Sequence, residues 1–143
     1  RGNRDKDGDD DDLRAATFKE RIVEAARTQE GVDYAWGGGT LDGPSEGRGS
    51  GAGTIGFDCS ALTRYAVYQA SGKKIDITRT TETQPSSEHL RPTDNPEPGD
   101  LMYVPGHTAV YIGDGKVFEA STTGVPLGEG KVQDGAVFYE VVE

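Results

Sequence analysis

Cys59 is the only cysteine in the chain, and His89 and His107 are the only histidines. A thiol reacts as its thiolate, and a helix N-terminus or a neighbouring imidazole favours that form. Gly56-Phe57-Asp58-Cys59 leads into an apolar stretch at helical spacing, Cys59, Leu62, Tyr65/Ala66 and Gln69, closed by Gly72, so Cys59 is expected at or near a helix start. The imidazole must come from elsewhere in sequence. His107 opens Gly106-His107-Thr108-Ala109-Val110-Tyr111-Ile112-Gly113 and reads as the first residue of a strand, where a helix end could meet it. His89 lies in a polar stretch and reads as a surface residue. Taken alone, Cys59 could equally be a small buried hydrophobe on a core helix.

A nucleophile–base pair needs a third polar group to fix the imidazole tautomer. Glu119 is the charged residue in the apolar run Val117-Phe118-Glu119-Ala120, one hairpin away from His107. If Asp114-Gly115 is a two-residue loop, Gly113 pairs with Lys116 and Val110 with Glu119. That register puts Glu119 three residues from His107 and on the opposite face, so the pair can meet only across a bulge or a longer loop. Without one, Glu119 is an outward-facing strand residue.

The elements that must position these groups follow from pattern. Ala15, Phe18, Ile22 and Ala25/Ala26 predict a helix over 13–29, capped by Asp12 and ended by Gly31. Nine of the residues 34–56 are glycine, and the stretch reads as a long loop whose part from Gly39 to Gly56 could line or cover a groove. Residues 73–98 read as an irregular crossing, with a short helix around Thr80 to Leu90. Strands are expected at Leu101–Val104, Thr108–Ile112, Lys116–Ala120 and Val137–Val142, with a loop over 121–135. The Gly113–Gly115 turn is a hairpin signal. Helix, loop, helix and then an antiparallel meander make an α+β domain.

The 143 residues suit one domain. Residues 1–12, without one apolar side chain, read as an acidic flexible linker preceding a domain over 13–143, with room for a partner domain upstream. Asn3, Asp5, Asp7 and Gly8 also match the opening of a calcium loop, but its twelfth position, ordinarily a bidentate Glu, is Arg14. A net charge of −10 and the lack of a Lys/Arg cluster argue against a nucleic-acid partner. No run is long and apolar enough to insert in a membrane.

Five motifs carry a resemblance. Tyr34-Ala35-Trp36-Gly37-Gly38, Phe57-Asp58-Cys59-Ser60-Ala61-Leu62, Arg79-Thr80-Thr81-Glu82-Thr83-Gln84, Pro98-Gly99-Asp100-Leu101 and the His107 motif occur in the order and spacing of the NlpC-type cell-wall peptidases. The sequence resembles that family, of the papain-like superfamily, from about Phe18 to the C-terminus. The resemblance implies N-terminal helices packed on an antiparallel sheet. It implies Cys59 as nucleophile, His107 as base and Glu119 in the third position, where many members have His. It implies Tyr34 beside the nucleophile as an oxyanion donor with the Cys59 N–H. Asp58 and Ser60 would hold the free amine end of the substrate, and Trp36 would bind substrate; core packing is the other reading of Tyr34 and Trp36.

The implied substrate is the peptide stem of bacterial peptidoglycan, cut between D-glutamate and a diamino acid, with no metal or other cofactor. A secreted, wall-located monomer is the expectation. The same chemistry would also serve a delivered antibacterial effector, with an inhibitor or immunity protein as partner. An acyltransferase or transglutaminase, and a wall-binding module without catalysis, are the further alternatives.

Overall fold

The computed structural model describes residues 16–143. The acidic linker, the calcium-loop residues and Arg14 lie outside the described residues. The first helix among the described residues, α1, spans Phe18–Arg27. Its cap is Thr17, not Asp12. The Thr17 hydroxyl accepts from the Glu20 N–H at 3.1 Å, and the Glu20 carboxylate accepts from the Thr17 N–H at 2.8 Å. This reciprocal box satisfies two donors that a helix start leaves open. The apolar spacing puts Ile22 and Ala26 in the core. Gly31 lies beyond the helix C-cap, Thr28, with its N–H on the Leu127 carbonyl at 2.9 Å.

The glycine-rich stretch is more ordered than a plain loop. It carries three short strands, β1 (Asp33–Tyr34), β2 (Ser45–Glu46) and β3 (Ile55–Phe57), in a small sheet of order β1-β3-β2. Strand β3 runs directly into α2, Cys59–Ala70. The helix predicted around Thr80 to Leu90 reduces to one 3-10 turn, Gln84–Ser86, where Pro85 ends any α-helical propagation.

Beyond it lies a six-stranded antiparallel sheet, β4 (Leu90–Thr93), β5 (Leu101–Val104), β6 (His107–Gly113), β7 (Lys116–Glu119), β8 (Gly128–Lys131) and β9 (Val137–Val141), in the order β4-β9-β5-β6-β7-β8. Strand β8 falls inside the expected loop over 121–135, and β4 at the end of the expected crossing. Both are edge strands with little apolar alternation to announce them.

Two helices cover one face of this sheet, giving the expected α+β architecture. Ile22 and Ala26 of α1, Phe57, and Leu62, Ala66 and Val67 of α2 pack with Leu101, Tyr103, Val110 and Phe118. The other face carries Met102, Ala109 and Val117, covered by Tyr111, Val132, Ala136 and Phe138. Lys19 of α1 spans to the sheet, with Nζ 3.1 Å from buried Asp100 and 3.2 Å from Glu140.

Candidate active site

Helix α2 begins at the thiol. Asp58 is its N-cap and Cys59 its first residue, so Cys59 sits where backbone N–H groups lack partners within the helix and the helix dipole is positive. Cys59 is half-buried. Its Sγ lies 4.0 Å from the Gly106 carbonyl oxygen, at the turn that feeds His107 into β6.

The β6–β7 hairpin supplies the next two groups. Gly113 pairs with Lys116, and Asp114 and Gly115 both have positive φ, as the tight turn requires. The register then shifts. Tyr111 pairs with Val117 and Val110 with Phe118, leaving Ile112 as an extra residue on β6. This is the bulge that the ideal register lacked. Continued one step, it sets Glu119 opposite Ala109, on the face of His107. His107 Nε2 and Glu119 Oε1 are 2.8 Å apart, with side chains only 13% and 15% exposed. Glu119 is thus an inward partner of His107, and not an outward strand residue. Nδ1 is left as the nitrogen that can serve the thiol.

Charge agrees with this order. Burial alone would lower the His107 pKa; the Cys59 side chain and then the Glu119 carboxylate outweigh it and raise it to about 9. Both neighbours thus favour the protonated form of the imidazole.

Tyr34, at the end of β1, is half-buried and lies by Cys59. Burial pushes its pKa up, and the nearby Cys59 and Asp58 add to this while Arg79 opposes it. Its hydroxyl keeps its proton at neutral pH and can donate. Trp36 is 49% exposed, with the Arg48 guanidinium 5.5 Å from its ring centroid. Core packing is excluded for Trp36. Tyr34, Trp36, Arg48, Asp58, Cys59, Ser60, Arg79 and Glu82 line a cleft of ≈ 350 Å³. The loop from Gly39 to Gly56 reaches this groove through Arg48.

Asp58 and Ser60 also reach the cleft, but the protein already uses the Asp58 carboxylate heavily. Oδ1 accepts from the Ala61 N–H at 2.9 Å and Oδ2 from the Gly37 N–H at 3.1 Å. Arg79 grips both oxygens, at 2.9 and 3.0 Å, and donates to the Ser60 hydroxyl at 3.0 Å and the Gly38 carbonyl at 3.2 Å. Arg79 is the site residue that sequence reasoning missed. It opens the motif Arg79-Thr80-Thr81-Glu82-Thr83-Gln84, where neither type nor spacing marks it for chemistry. Thr78 before it has φ of 79°, rare for a β-branched residue. His89 stands apart from this constellation. It is half-buried near the β4–β9 edge, with Nδ1 3.3 Å from the Val142 carbonyl. No cluster of metal-binding side chains occurs among the described residues.

The sequence model of the NlpC/P60 family matches residues 31–139. The chain belongs to the NlpC/P60 family. Among its relatives is the peptidoglycan endopeptidase RipB of Mycobacterium tuberculosis, 43% identical over 106 residues, which cover 71% of this chain and 43% of RipB. The chain thus spans less than half the length of the curated relatives it matches.

Solved NlpC/P60 structures share the papain-like fold. Three of RipA, the Resuscitation Promoting Factor Interacting protein, each carry one mutated position, a cysteine, a histidine or a glutamate, the last two twelve positions apart. They superpose with TM-scores of 0.75–0.77 at 31–32% identity, covering 87–88% of this chain and 61–62% of theirs. RipD of Mycobacterium tuberculosis, described as a non-catalytic NlpC/p60 domain adapted to peptidoglycan binding, superposes with a TM-score of 0.76 at 25% identity, over 90% of this chain and all of RipD's.

Proposed function

We propose that this NlpC/P60 domain is a cysteine peptidase that hydrolyses an amide bond in the peptide stem of bacterial peptidoglycan, between D-glutamate and the diamino acid, at the cell wall. The observation that carries the reading is the His107 imidazole set between Cys59, which lines the cleft, and the Glu119 carboxylate. The RipA positions lend support, since His107 and Glu119 are also twelve residues apart.

In this reading Cys59 Sγ, its proton held by His107, attacks the scissile carbonyl carbon. The oxyanion is met by the Cys59 N–H and the Tyr34 hydroxyl. As the C–N bond breaks, His107 gives its proton to the leaving amine, and an acyl-thioester remains on Cys59. Water, deprotonated by His107, attacks that thioester and releases the acid and the thiol. Glu119 keeps the imidazole oriented and stabilises its cationic form. Trp36 supplies an exposed apolar wall for substrate. Asp58, tied to Arg79, holds the helix start and the Ser60 hydroxyl in position, leaving the amine end of the substrate to a site already polarised by that pair.

Wall binding without catalysis, as described for RipD, is the competing reading. Mass spectrometry of purified peptidoglycan incubated with the domain tests both. Wild type should release fragments with a new amine at the diamino acid, and Cys59→Ala should release none while keeping its circular dichroism. Equal release by Cys59→Ala would overturn the mechanism. Binding without release by wild type would favour the RipD-like role.

A further inference from the structure

The carboxylate of Glu119 has two oxygens, and only Oε1 meets His107. Oε2 lies over Gly130, on the neighbouring strand β8. A Cβ built on Gly130 would stand 1.9 Å from Oε2 and 2.7 Å from Cδ of Glu119. Those distances are far inside van der Waals contact. Gly130 has no positive φ and sits in regular antiparallel pairing, opposite Val117, so its backbone does not require glycine. What requires it is the room taken by the carboxylate. Gly128, two residues earlier and opposite Glu119 itself, differs: a Cβ there meets nothing closer than the Pro126 carbonyl at 3.9 Å.

We propose that Gly130 is a positioning residue for the candidate active site: its missing side chain is the seat that holds the Glu119 carboxylate against His107. This rests on the His107–Glu119 pair acting as described above. The clash involves the far end of a flexible side chain, so the fold can absorb a methyl group by letting Glu119 rotate away. The contact with His107 is lost in that rotation. The β7–β8 pairing therefore has a task beyond closing the sheet, because it presents a bare Cα to the orienting carboxylate.

The test compares Gly130→Ala, Glu119→Ala, the double variant and Gly128→Ala, reading peptidoglycan hydrolysis and the His107 titration by NMR. Gly130→Ala should lower the His107 pKa from about 9 and cut hydrolysis as Glu119→Ala does. The double variant should be no worse than either, and Gly128→Ala should match wild type. If Gly130→Ala proves too unstable to assay, the double variant should regain stability, because the offending carboxylate is gone. The inference is overturned if Gly130→Ala titrates and cuts like wild type while Glu119→Ala does not. It is also overturned if the double variant is as unstable as Gly130→Ala alone. If Glu119→Ala itself leaves titration and hydrolysis unchanged, the role of Glu119 in the mechanism fails, and the seat with it.

Discussion

At the scale of single residues, the imidazole of His107 ties chemistry to stability. Its pKa is raised from an ordinary 6.5 to about 9, against the opposing effect of burial. The folded state therefore binds this proton more tightly than the unfolded chain. The resulting stabilisation is present in full below about pH 6.5 and is lost as pH rises toward 9. Melting temperature should fall over that interval, and the fall should shrink in Cys59→Ala and in Glu119→Gln, each of which removes one group that favours the cation. NMR titration of the ring should place its pKa lower in both variants; a value unchanged in both would mean that neither group sets it.

Residue identity also governed how much of this was legible beforehand. Cys59 at a helix start and His107 at a strand start could be read from type and spacing. Arg79 could not, because it lies in a stretch of threonines with no periodic signal, and only the fold brings it onto Asp58. Gly130 was hidden for a similar reason: within Gly-Glu-Gly-Lys it looks like loop, and its purpose is visible only once the Glu119 carboxylate lies over it.

Among the elements, the β6–β7 hairpin decides whether a histidine and a glutamate twelve residues apart can meet. Turn chemistry made the hairpin predictable, since Asp114-Gly115 tolerates the two positive φ values. The bulge at Ile112 was not, because one unpaired residue has no sequence mark yet moves Glu119 to the other face of the sheet. Asp114 at φ 57° is thus part of the device. Asp114→Gly or Asp114→Asn should keep both stability and hydrolysis. Asp114→Val should cost about 1–2 kcal/mol, since a β-branched residue is strained there. Denaturation midpoints measure the cost. Equal midpoints for Val and Gly would show that the turn is not held in this conformation.

The start of α2 is the second such device. Asp58→Ala removes a helix cap, worth about 1 kcal/mol, and leaves Arg79 without its carboxylate. Asp58→Asn keeps an effective cap and loses only the ion pair. Its denaturation midpoint should therefore lie nearer to wild type than that of Asp58→Ala. If hydrolysis also needs the Arg79 grip, both variants should lose it alike; if only the cap matters, the asparagine variant should retain it.

Across the whole molecule, helix layer, sheet and cleft are joined through one buried amide. Gln84 has no exposed surface, and all its hydrogen-bonding capacity is spent. Its Nε2 donates to the carbonyls of Ser60, in α2, and Thr78, both at 3.0 Å. Its Oε1 accepts from the Thr63 hydroxyl at 3.0 Å and from the Tyr103 hydroxyl of β5 at 2.6 Å. The residues it holds flank the candidate site: Ser60 follows Cys59 and Thr78 precedes Arg79. Gln84→Leu preserves volume but takes this partner from the Tyr103 hydroxyl and the Thr78 carbonyl, while the Thr63 hydroxyl and the Ser60 carbonyl still have each other at 3.1 Å. Each orphaned group costs about 1–3 kcal/mol, with some recovered by local rearrangement. The variant should lose roughly 3 kcal/mol or more, a large share of the stability of a domain this size. Gln84→Glu should fail as well, because a carboxylate cannot donate to the two carbonyls. Urea denaturation followed by far-UV and near-UV circular dichroism would read this as a lowered midpoint common to both signals. A wild-type midpoint for Gln84→Leu would mean that the amide adds nothing to the joint between the helix layer and the sheet. A normal midpoint with lost hydrolysis would confine the amide's importance to the cleft.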